Sequence, residues 1–414
     1  MFDKLFSCPR ACERHFLAPM SDERVRYLAD CAAQGSPKSS LRAIAGYLLV
    51  FIDYLNLEAE GEIGIEQINT AADRWVNRHP ATHNVTCGVR MRFISDARRW
   101  LCFLGRLHTP EVPRQPYTQM IEEFTDYMNV ERGLSLETVR TYCYYLTRFL
   151  SHVYQQHLTL NELSIVDIDS AITRKGDQDS CRRSSIRTYA ASLRTFFSYA
   201  EQRGWCAPGL SAAIVSPRLF AYEQLPKGPS WKDAQRLLAS TEGDLPKNIR
   251  DRAIIMLFAV YGLRVSEVCA LKLEDLDWEN ELLYVTRPKS RRRQIYPLCY
   301  SVGEALLRYL KEVRPRVPYR EVFITLRAPF HPTARGVLYD VVADRLGALG
   351  VSSKQHGPHS LRHACAARLL AEGLSMKEIG DHLGHRNVHT TLVYAKVDLA
   401  GLRQVATFDL GGVL

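Results

Sequence analysis

Five side chains with the chemistry to cleave a phosphodiester follow one another in the carboxyl-terminal half of the chain. Arg264 lies in a Gly-Leu-Arg-Val-Ser-Glu run, and a His-Ser-Leu-Arg run places His359 three residues before Arg362. Tyr394 lies nine residues after His385. Guanidinium groups match the geometry of phosphate oxygens, and a tyrosine hydroxyl can act as a nucleophile. The spacing therefore predicts a phosphate-clamping site with Tyr394 as the nucleophile.

The two arginines can provide the positive charge that a tyrosine nucleophile requires. A tyrosine hydroxyl has a pKa of about 10, so it attacks phosphorus at neutral pH only in a strongly cationic surround. Arg264 and Arg362 can bind the two non-bridging oxygens, because guanidinium groups stay charged when water is removed. An ordinary surface ion pair is the alternative for each arginine. Arg264 begins an apolar helical pattern and Arg362 lies between Leu361 and Ala364, which favours the clamp.

The order Arg264, Lys289, His359, Arg362, His385, Tyr394 resembles the catalytic set of the tyrosine recombinase (phage integrase) family. The resemblance extends over about residues 115–400. It implies a mobile-element or Xer-type site-specific recombinase, an enzyme of DNA recombination, integration and transposition. Such an enzyme cleaves and rejoins DNA strands through a covalent 3′-phosphotyrosyl intermediate, without a metal or another cofactor.

The resemblance also assigns the remaining roles. It gives His359 proton transfer or phosphate contact, gives His385 a stabilising hydrogen bond to the phosphate, and gives a hairpin lysine the protonation of the 5′-oxygen. Lys289 is the lysine in that place, although the family's turn usually reads Gly-Lys-Gly and this chain has Pro-Lys-Ser. Glu267, one turn after Arg264, is expected to orient it or a nearby histidine. His363 is equally consistent with packing and with function.

Other kinds of site fit parts of the pattern. His359 and His363 have the spacing of paired zinc ligands, with His385 as a third, but the helix lacks the glutamate that would act as base and carries an arginine instead. Cys8, Cys12 and His15 form an incomplete metal set. A type IB topoisomerase-like DNA-relaxing enzyme and a catalytically silent DNA-binding protein remain the alternatives to a recombinase.

Composition places the protein in a broad class. Residues 226–414 carry 28 lysines and arginines against 20 acidic residues, so most of the net charge of +9 lies there. This excess suggests a polyanionic partner. The eleven cysteines are scattered, which is typical of reduced thiols. No signal peptide or long apolar run is evident, so we expect a cytoplasmic, nucleoid-associated protein with no membrane contact.

Helical periodicity predominates along the chain, and residues 282–286 and 294–298 predict a β-hairpin around a basic turn. The expected fold is mainly α with a small β-hairpin or sheet in the catalytic domain, built as a multidomain DNA clamp. Prolines mark the boundaries. The predicted parts are an N-terminal helical domain for extra DNA binding or assembly at 1–112, a core-binding helical domain at 113–206, a linker at 207–229, and a catalytic domain with a carboxyl-terminal tail at 230–414.

Two basic groups are candidates for contact with the DNA backbone, with a solvated surface as the alternative for each. One is a face of the helix predicted over 181–202, and the other follows Lys289 in the hairpin turn. The expected partner is double-stranded DNA, bound by a homotetramer, or a heterotetramer with related recombinases, on paired sites. The candidate contact residues are Arg183, Arg187, Arg194, Arg291, Arg292 and Arg293.

Overall fold

The computed structural model of the 414-residue chain contains two compact units, one formed by residues 1–110 and 225–414 and the other by residues 111–224. The helices of both units follow the apolar periodicity of the sequence. The residues that the structure describes are 1–57, 59, 61–78, 83–108, 115–177, 181–218, 228–287, 292–351, 356–385 and 391, with the backbone alone at 83–87.

The amino-terminal segment of the first unit is helical. Leu41, Leu48 and Phe51 recur at helical spacing and are buried on one face of the fourth helix, where Phe51 packs against Trp100 with ring centroids 6.2 Å apart. The elements are α1 (Phe2–Leu5), α2 (Pro9–Leu17), α3 (Ser21–Ala33), α4 (Lys38–Leu55), β1 (Ile63–Gly64), α5 (Ile65–Arg78), α6 (His83–Phe103) and β2 (Leu107–His108), with β1 and β2 parallel.

The second unit is helical throughout its described residues. The Oγ atom of Ser135 accepts a hydrogen bond from the Thr138 amide at 3.3 Å and caps the helix that follows. The helix predicted over 181–202 is confirmed, with Gly204 just beyond its end at a φ of 69°. The elements are α7 (Thr118–Asp126), continued by a π-helical turn (Tyr127–Glu131), α8 (Leu136–Gln155), a short 3₁₀ helix (Leu160–Glu162), α9 (Ile165–Asp177), α10 (Arg183–Gln202) and α11 (Leu210–Ala213).

Part of the predicted linker folds onto the second unit. Leu210 and Ile214, one helical turn apart, are both buried in the apolar core of this unit. Glu201 accepts hydrogen bonds from the amide of Ser211 at 2.7 Å and from its hydroxyl at 3.0 Å. Prolines flank this short helix, but its apolar residues pack against α10 and keep the segment within the unit.

The carboxyl-terminal segment of the first unit is built around α13, which is buried nearly all round, as a helix in the centre of a core must be. Three antiparallel strands in the order β3-β4-β5 pack beside it, with Leu283 opposite Tyr296 and Val285 opposite Gln294. The elements are α12 (Trp231–Ala239), α13 (Pro246–Tyr261), α14 (Val265–Ala270), a 3₁₀ turn (Leu273–Asp275), β3 (Leu276–Asp277), β4 (Leu282–Thr286), β5 (Arg293–Pro297), α15 (Tyr300–Arg308), a π-helical turn (Tyr309–Val313), α16 (Arg335–Ala348), α17 (Pro358–Ala371) and α18 (Met376–Leu383).

The predicted fold class, mainly α with a small sheet, is confirmed, and the predicted hairpin corresponds to β4 and β5. Its second strand begins one residue earlier than the pattern indicated, at Arg293. Among the described residues, no helix combines the length and apolar composition needed to span a bilayer.

Candidate active site

Four of the six predicted active-site residues lie in the described part of the chain. Arg264 is the N-cap residue of α14, His359 and Arg362 lie on α17, and His385 follows α18. The end of α18 brings them together, since Arg264 Nη2 lies 3.5 Å from the Gly384 carbonyl oxygen and Arg362 also contacts this turn. The predicted site residues outside the described part are Lys289, Arg291 and Tyr394.

Arg362 is held by the carboxyl-terminal ends of two helices. Its Nη1 donates to the carbonyl oxygen of Gly262, which ends α13, at 2.5 Å, and its Nη2 donates to that of Leu383, the last residue of α18, at 2.7 Å. The last carbonyl groups of a helix lack intrahelical partners and carry partial negative charge, so they attract a cation. With 1% of its surface exposed, Arg362 is a buried charge that ties α13, α17 and α18 together.

Glu267 fixes the position of Arg264. One carboxylate oxygen of Glu267 accepts from the Arg264 backbone amide at 2.7 Å and so caps α14, and the other accepts from Arg264 Nη1 at 2.8 Å. Burial alone would raise the pKa of Glu267, but hydrogen bonds from Arg287 and Arg264 outweigh it and hold the pKa below its usual value. Glu267 is therefore an anion at neutral pH, and two hydrogen bonds join it to Arg264.

Arg287 is a third arginine of the site that the sequence analysis missed. Only 4% exposed, it donates from Nη1 to Glu267 at 2.6 Å and from Nε and Nη2 to the Gln294 side-chain oxygen at 3.0 and 2.6 Å. A signal was present in the sequence. Leu283 and Val285 face the core, so residue 287, two positions further, faces inward as well, and an inward arginine requires a buried acid.

The hairpin is also attached to the end of α18. Gln294 Nε2 donates to the carbonyl oxygens of Asp381 at 2.7 Å and His382 at 3.1 Å, and the Tyr296 hydroxyl donates to the His382 carbonyl as well. These are again end-of-helix carbonyl groups that lack intrahelical partners. The strand that follows the predicted lysine turn, β5, is thus attached to the helix that precedes His385.

The histidines of the site are held in the neutral form. Burial, together with the charges of Arg362 and Arg264, lowers the pKa of His385 to about 4. His363 is lowered to about 4, mainly by burial, and the pKa of His359 is lowered by burial and the same two arginines. The rings of His359 and His363 meet edge to face with centroids 4.6 Å apart. At pH 7 these imidazoles can accept protons or hydrogen bonds.

The turn that carries His385 depends on close approach. The His385 Nδ1 atom lies 2.8 Å from the Thr391 hydroxyl, and a Cβ added to Gly380 would lie 2.9 Å from the same oxygen. Gly384 has a φ of 66°, and a Cβ there would lie 2.6–2.8 Å from the Arg287 guanidinium. Glycine at 384 therefore meets two requirements, the left-handed backbone and the contact with Arg287.

The residues considered for metal binding have other contacts. Within the described ranges, no group of three or more His, Cys, Asp or Glu side chains could hold a metal ion. His15 stacks against the rings of Phe2 and Phe6, and the Cys12 thiol lies 3.4 Å from the Phe6 carbonyl oxygen. These side chains belong to the packing of α1 and α2.

The arginines predicted to contact DNA have different environments. Arg183 and Arg187 are exposed on α10. Arg194 instead donates to the Ile214 carbonyl oxygen at 2.7 Å and to the Ser216 hydroxyl at 3.0 Å, so it holds the segment after α11 in place. That segment reaches Arg194 because it folds back along α10, which periodicity within one helix does not reveal.

Of the hairpin arginines predicted to contact DNA, the two that the structure describes, Arg292 and Arg293, are exposed. Arg293 pairs with Asp275 at 3.3 Å and lies over the ring of Tyr284, 4.1 Å from its centroid. The carbonyl oxygen of Arg292 accepts from the Arg287 amide at 2.9 Å and continues the strand pairing. The hairpin therefore presents cationic side chains outward on its strand while Arg287 faces inward.

A basic cavity in the second unit was not predicted. A space of about 210 Å³ opens among α8, α9 and α10, and its lining includes several cations and two tyrosines but no carboxylate. On α8 its residues recur at positions 145, 148 and 152, the spacing of one helical face. The polar lining residues are Tyr145, Arg148, His152, Arg174, Lys175 and Tyr189.

Two family models match the chain. Residues 230–400 match the phage integrase family, and residues 121–204 match the phage integrase N-terminal SAM-like domain. The first match covers α12 to α18 with the sheet, and the second covers most of the described second unit. Both thus coincide with segments that the fold itself separates.

Individual proteins are similar over about 70% of the chain. The chain is 36% identical over 293 residues to the putative integrase/recombinase y4rA of Sinorhizobium fredii, covering 70% of each protein. It is 31% identical over 291 residues to the tyrosine recombinase XerD of Listeria monocytogenes, covering 69% of this chain and 96% of that protein. The solved structure of the XerH site-specific recombinase bound to its palindromic difH substrate has a TM-score of 0.54 at 18% identity, covering 75% of this chain and 93% of that one, which shows a shared fold.

Proposed function

The chain belongs to the phage integrase family of tyrosine recombinases, and from that premise we propose that Tyr394 cleaves and rejoins duplex DNA through a 3′-phosphotyrosyl intermediate without a metal ion. The observation that carries the proposal is the convergence of Arg264, Arg362 and His385 at the end of α18. Among the described residues, the carboxylate that contacts Arg264 is that of Glu267, at 2.8 Å. The arrangement supports binding of one anionic group.

The two arginines have the charge that a pentavalent phosphorane requires. Arg264 keeps 37% of its side chain exposed, so a phosphate oxygen can reach its guanidinium, while Arg362 adds its charge from within the protein. Preorganised donors of this kind each stabilise a transition state by roughly 2.7–4 kcal/mol. Side chains alone can thus supply electrostatic stabilisation that a metal ion can also provide.

The proposed step balances in atoms and charge. The Tyr394 oxygen bonds to phosphorus while the bond from phosphorus to the 5′-oxygen breaks, and the reverse attack by a 5′-hydroxyl rejoins the strand. Tyr394 loses its hydroxyl proton, which a neutral imidazole such as His359 can accept, and the departing 5′-oxygen gains one from Lys289. His385, also neutral, is proposed to donate a hydrogen bond to a phosphate oxygen.

Duplex DNA is the proposed substrate and partner. In the second unit, Arg183 and Arg187 are exposed on α10, and the basic cavity adds Arg148, Arg174 and Lys175 without a carboxylate in its lining. Such cationic surfaces bind the phosphate backbone, with an affinity that falls as salt rises. Arg291, Arg292 and Arg293 would extend this contact on the catalytic domain.

The proposed assembly is a homotetramer, or a heterotetramer with related recombinases, on two paired sites. We propose the division into residues 1–112, 113–206, 207–229 and 230–414 with the functions predicted above, and a tail that docks on a neighbouring protomer. Deleting residues 1–112 should preserve cleavage of a single core site but reduce recombination of two full sites. Loss of core-site cleavage by a folded truncated protein would contradict this division.

The decisive experiment uses a DNA duplex nicked near the cleavage point, which traps the covalent adduct. Tyr394→Phe should bind this DNA normally and form no adduct, because the ring lacks the attacking oxygen. Tyr300→Phe is the matched control, since Tyr300 is 85% exposed on α15, and it should form adduct like the wild type. Adduct formation by Tyr394→Phe would overturn the assignment.

Three further measurements separate the alternatives. Cleavage should persist in EDTA, and strict dependence on added zinc would instead support a metal hydrolase. A substrate with sulfur in place of the 5′-bridging oxygen has a leaving group that needs no proton, so it should restore cleavage by Lys289→Ala but not by Arg264→Ala. Relaxation of supercoiled DNA without strand exchange between two sites would favour the topoisomerase-like enzyme.

A further inference from the structure

Arg287 carries a buried charge that has no role in the reaction proposed above. Removing a guanidinium from water is costly unless every donor finds a partner with good geometry. Each of the three guanidinium nitrogens of Arg287 has a partner and four hydrogen bonds form, with Glu267 at 2.6 Å, Gln294 at 2.6 and 3.0 Å, and the Tyr296 hydroxyl at hydrogen-bond distance. A charge retained at such cost beside a phosphate site calls for an explanation beyond packing.

Arg287 and Arg264 divide the carboxylate of Glu267 between them. One oxygen of Glu267 accepts from Arg287 Nη1 and from the Arg264 amide, at 2.6 and 2.7 Å. The other oxygen accepts from Arg264 Nη1 at 2.8 Å. Because Arg287 occupies the first oxygen, Arg264 cannot form a two-pronged pair with the carboxylate, although guanidinium groups favour that geometry.

This arrangement leaves one edge of the Arg264 guanidinium available to a phosphate. Among the described residues, the one contact of its second terminal nitrogen, Nη2, is with the Gly384 carbonyl oxygen at a long 3.5 Å, and 37% of the side chain is exposed. Arg287 also neutralises the charge of Glu267, which would otherwise attract Arg264 inward and repel a phosphate. Both effects increase the positive charge that Arg264 presents to DNA.

We propose that Arg287 is a positioning residue that occupies and neutralises Glu267, so that Arg264 directs its Nη2 edge towards the scissile phosphate. The inference rests on the proposed function and adds the group that controls its phosphate clamp. Arg287 itself does not touch the DNA.

The proposal predicts how Arg287→Met behaves with and without the charge of Glu267. In Arg287→Met alone, the carboxylate draws Arg264 into a two-pronged pair, and single-turnover cleavage should slow by about a hundredfold, the effect of a misplacement near 1 Å. Glu267→Gln keeps an oxygen that caps α14 but has no charge to attract Arg264. The double variant should therefore cleave faster than Arg287→Met, a sign of coupling between neighbours.

Arg345→Met is the control for general loss of stability. Arg345 lies on α16 and pairs at 2.7 Å with Asp251, on the first turns of α13 and about 15 Å along that helix from its end at Gly262. It should lower the thermal midpoint as Arg287→Met does and leave the cleavage rate of folded protein unchanged. The effects of Arg345→Met and Glu267→Gln on stability should be additive in the double variant.

Three results bear on the inference. Cleavage by Arg287→Met at the wild-type rate overturns it, and so does a double variant slower than either single one, which is the pattern of a purely structural role. Restoration of Arg287→Met by the bridging-sulfur substrate would also overturn it, because the defect would then lie in protonation of the leaving group. Absence of any adduct with the wild-type protein would instead refute the proposed function.

Discussion

Replacing Glu267 by alanine should destabilise the protein as well as slow it. The carboxylate is 2% exposed and accepts three hydrogen bonds, at 2.6, 2.7 and 2.8 Å, from Arg287 and Arg264. Its removal leaves Arg287 buried with only neutral partners. Breaking a buried ion pair from one side costs about 3–5 kcal/mol, so we expect the free energy of unfolding to fall by that amount.

Urea denaturation measures this loss directly. With a dependence on urea of about 2–3 kcal/mol per molar, a loss of 3–5 kcal/mol lowers the midpoint by roughly 1–2.5 M at an unchanged slope. Glu312→Ala is the matched control, because Glu312 pairs with Arg308 at 3.2 Å on the surface, with 52% of its side chain exposed. Its midpoint should stay at the wild-type value. A Glu267→Ala midpoint indistinguishable from that of the control would refute the role of the buried pair.

Three other predictions concern the glycine turn, the histidines and the basic cavity. Gly384→Ala should lower the cleavage rate and the thermal midpoint more than Gly373→Ala, because both positions have a positive φ but only a Cβ at 384 meets Arg287; equal effects would contradict this. Stability should fall as the pH drops from about 6.5 towards 4, because in this range His385 binds a proton in the unfolded chain but not in the folded protein. His385→Asn should therefore flatten the profile of the thermal midpoint against pH. Arg174→Ala should weaken DNA binding and reduce its salt slope by about one unit, and an unchanged slope would show that the cavity does not contact phosphate.

Local patterns in the sequence predicted some elements of the fold. Helical periodicity indicated α10, and strand patterns around a basic turn indicated β4 and β5. These predictions succeeded because each depends on residues within one element. The spacing of His359 and Arg362 on one helix face had the same basis.

Contacts between distant segments could not be predicted in this way. Arg287 was counted with the basic turn, and its true partner lies twenty residues upstream in α14. Arg194 was predicted to lie on a basic face, but the segment with Ile214 and Ser216 folds back along α10 and accepts its hydrogen bonds. In both cases a charged side chain looks exposed until the tertiary fold supplies an acceptor.

The two helix ends that hold Arg362 should make its contribution differ from that of Arg264. The carbonyl oxygens of Gly262 and Leu383 already compensate part of its charge, so Arg362 attracts a resting phosphate diester less strongly than Arg264 does. As the phosphorane gains negative charge, however, a rigidly fixed guanidinium needs no reorganisation to respond. We therefore propose that Arg264 contributes more than Arg362 to DNA capture, so loss of Arg264 should weaken DNA binding as well as slow cleavage, whereas loss of Arg362 should mainly slow the chemical step.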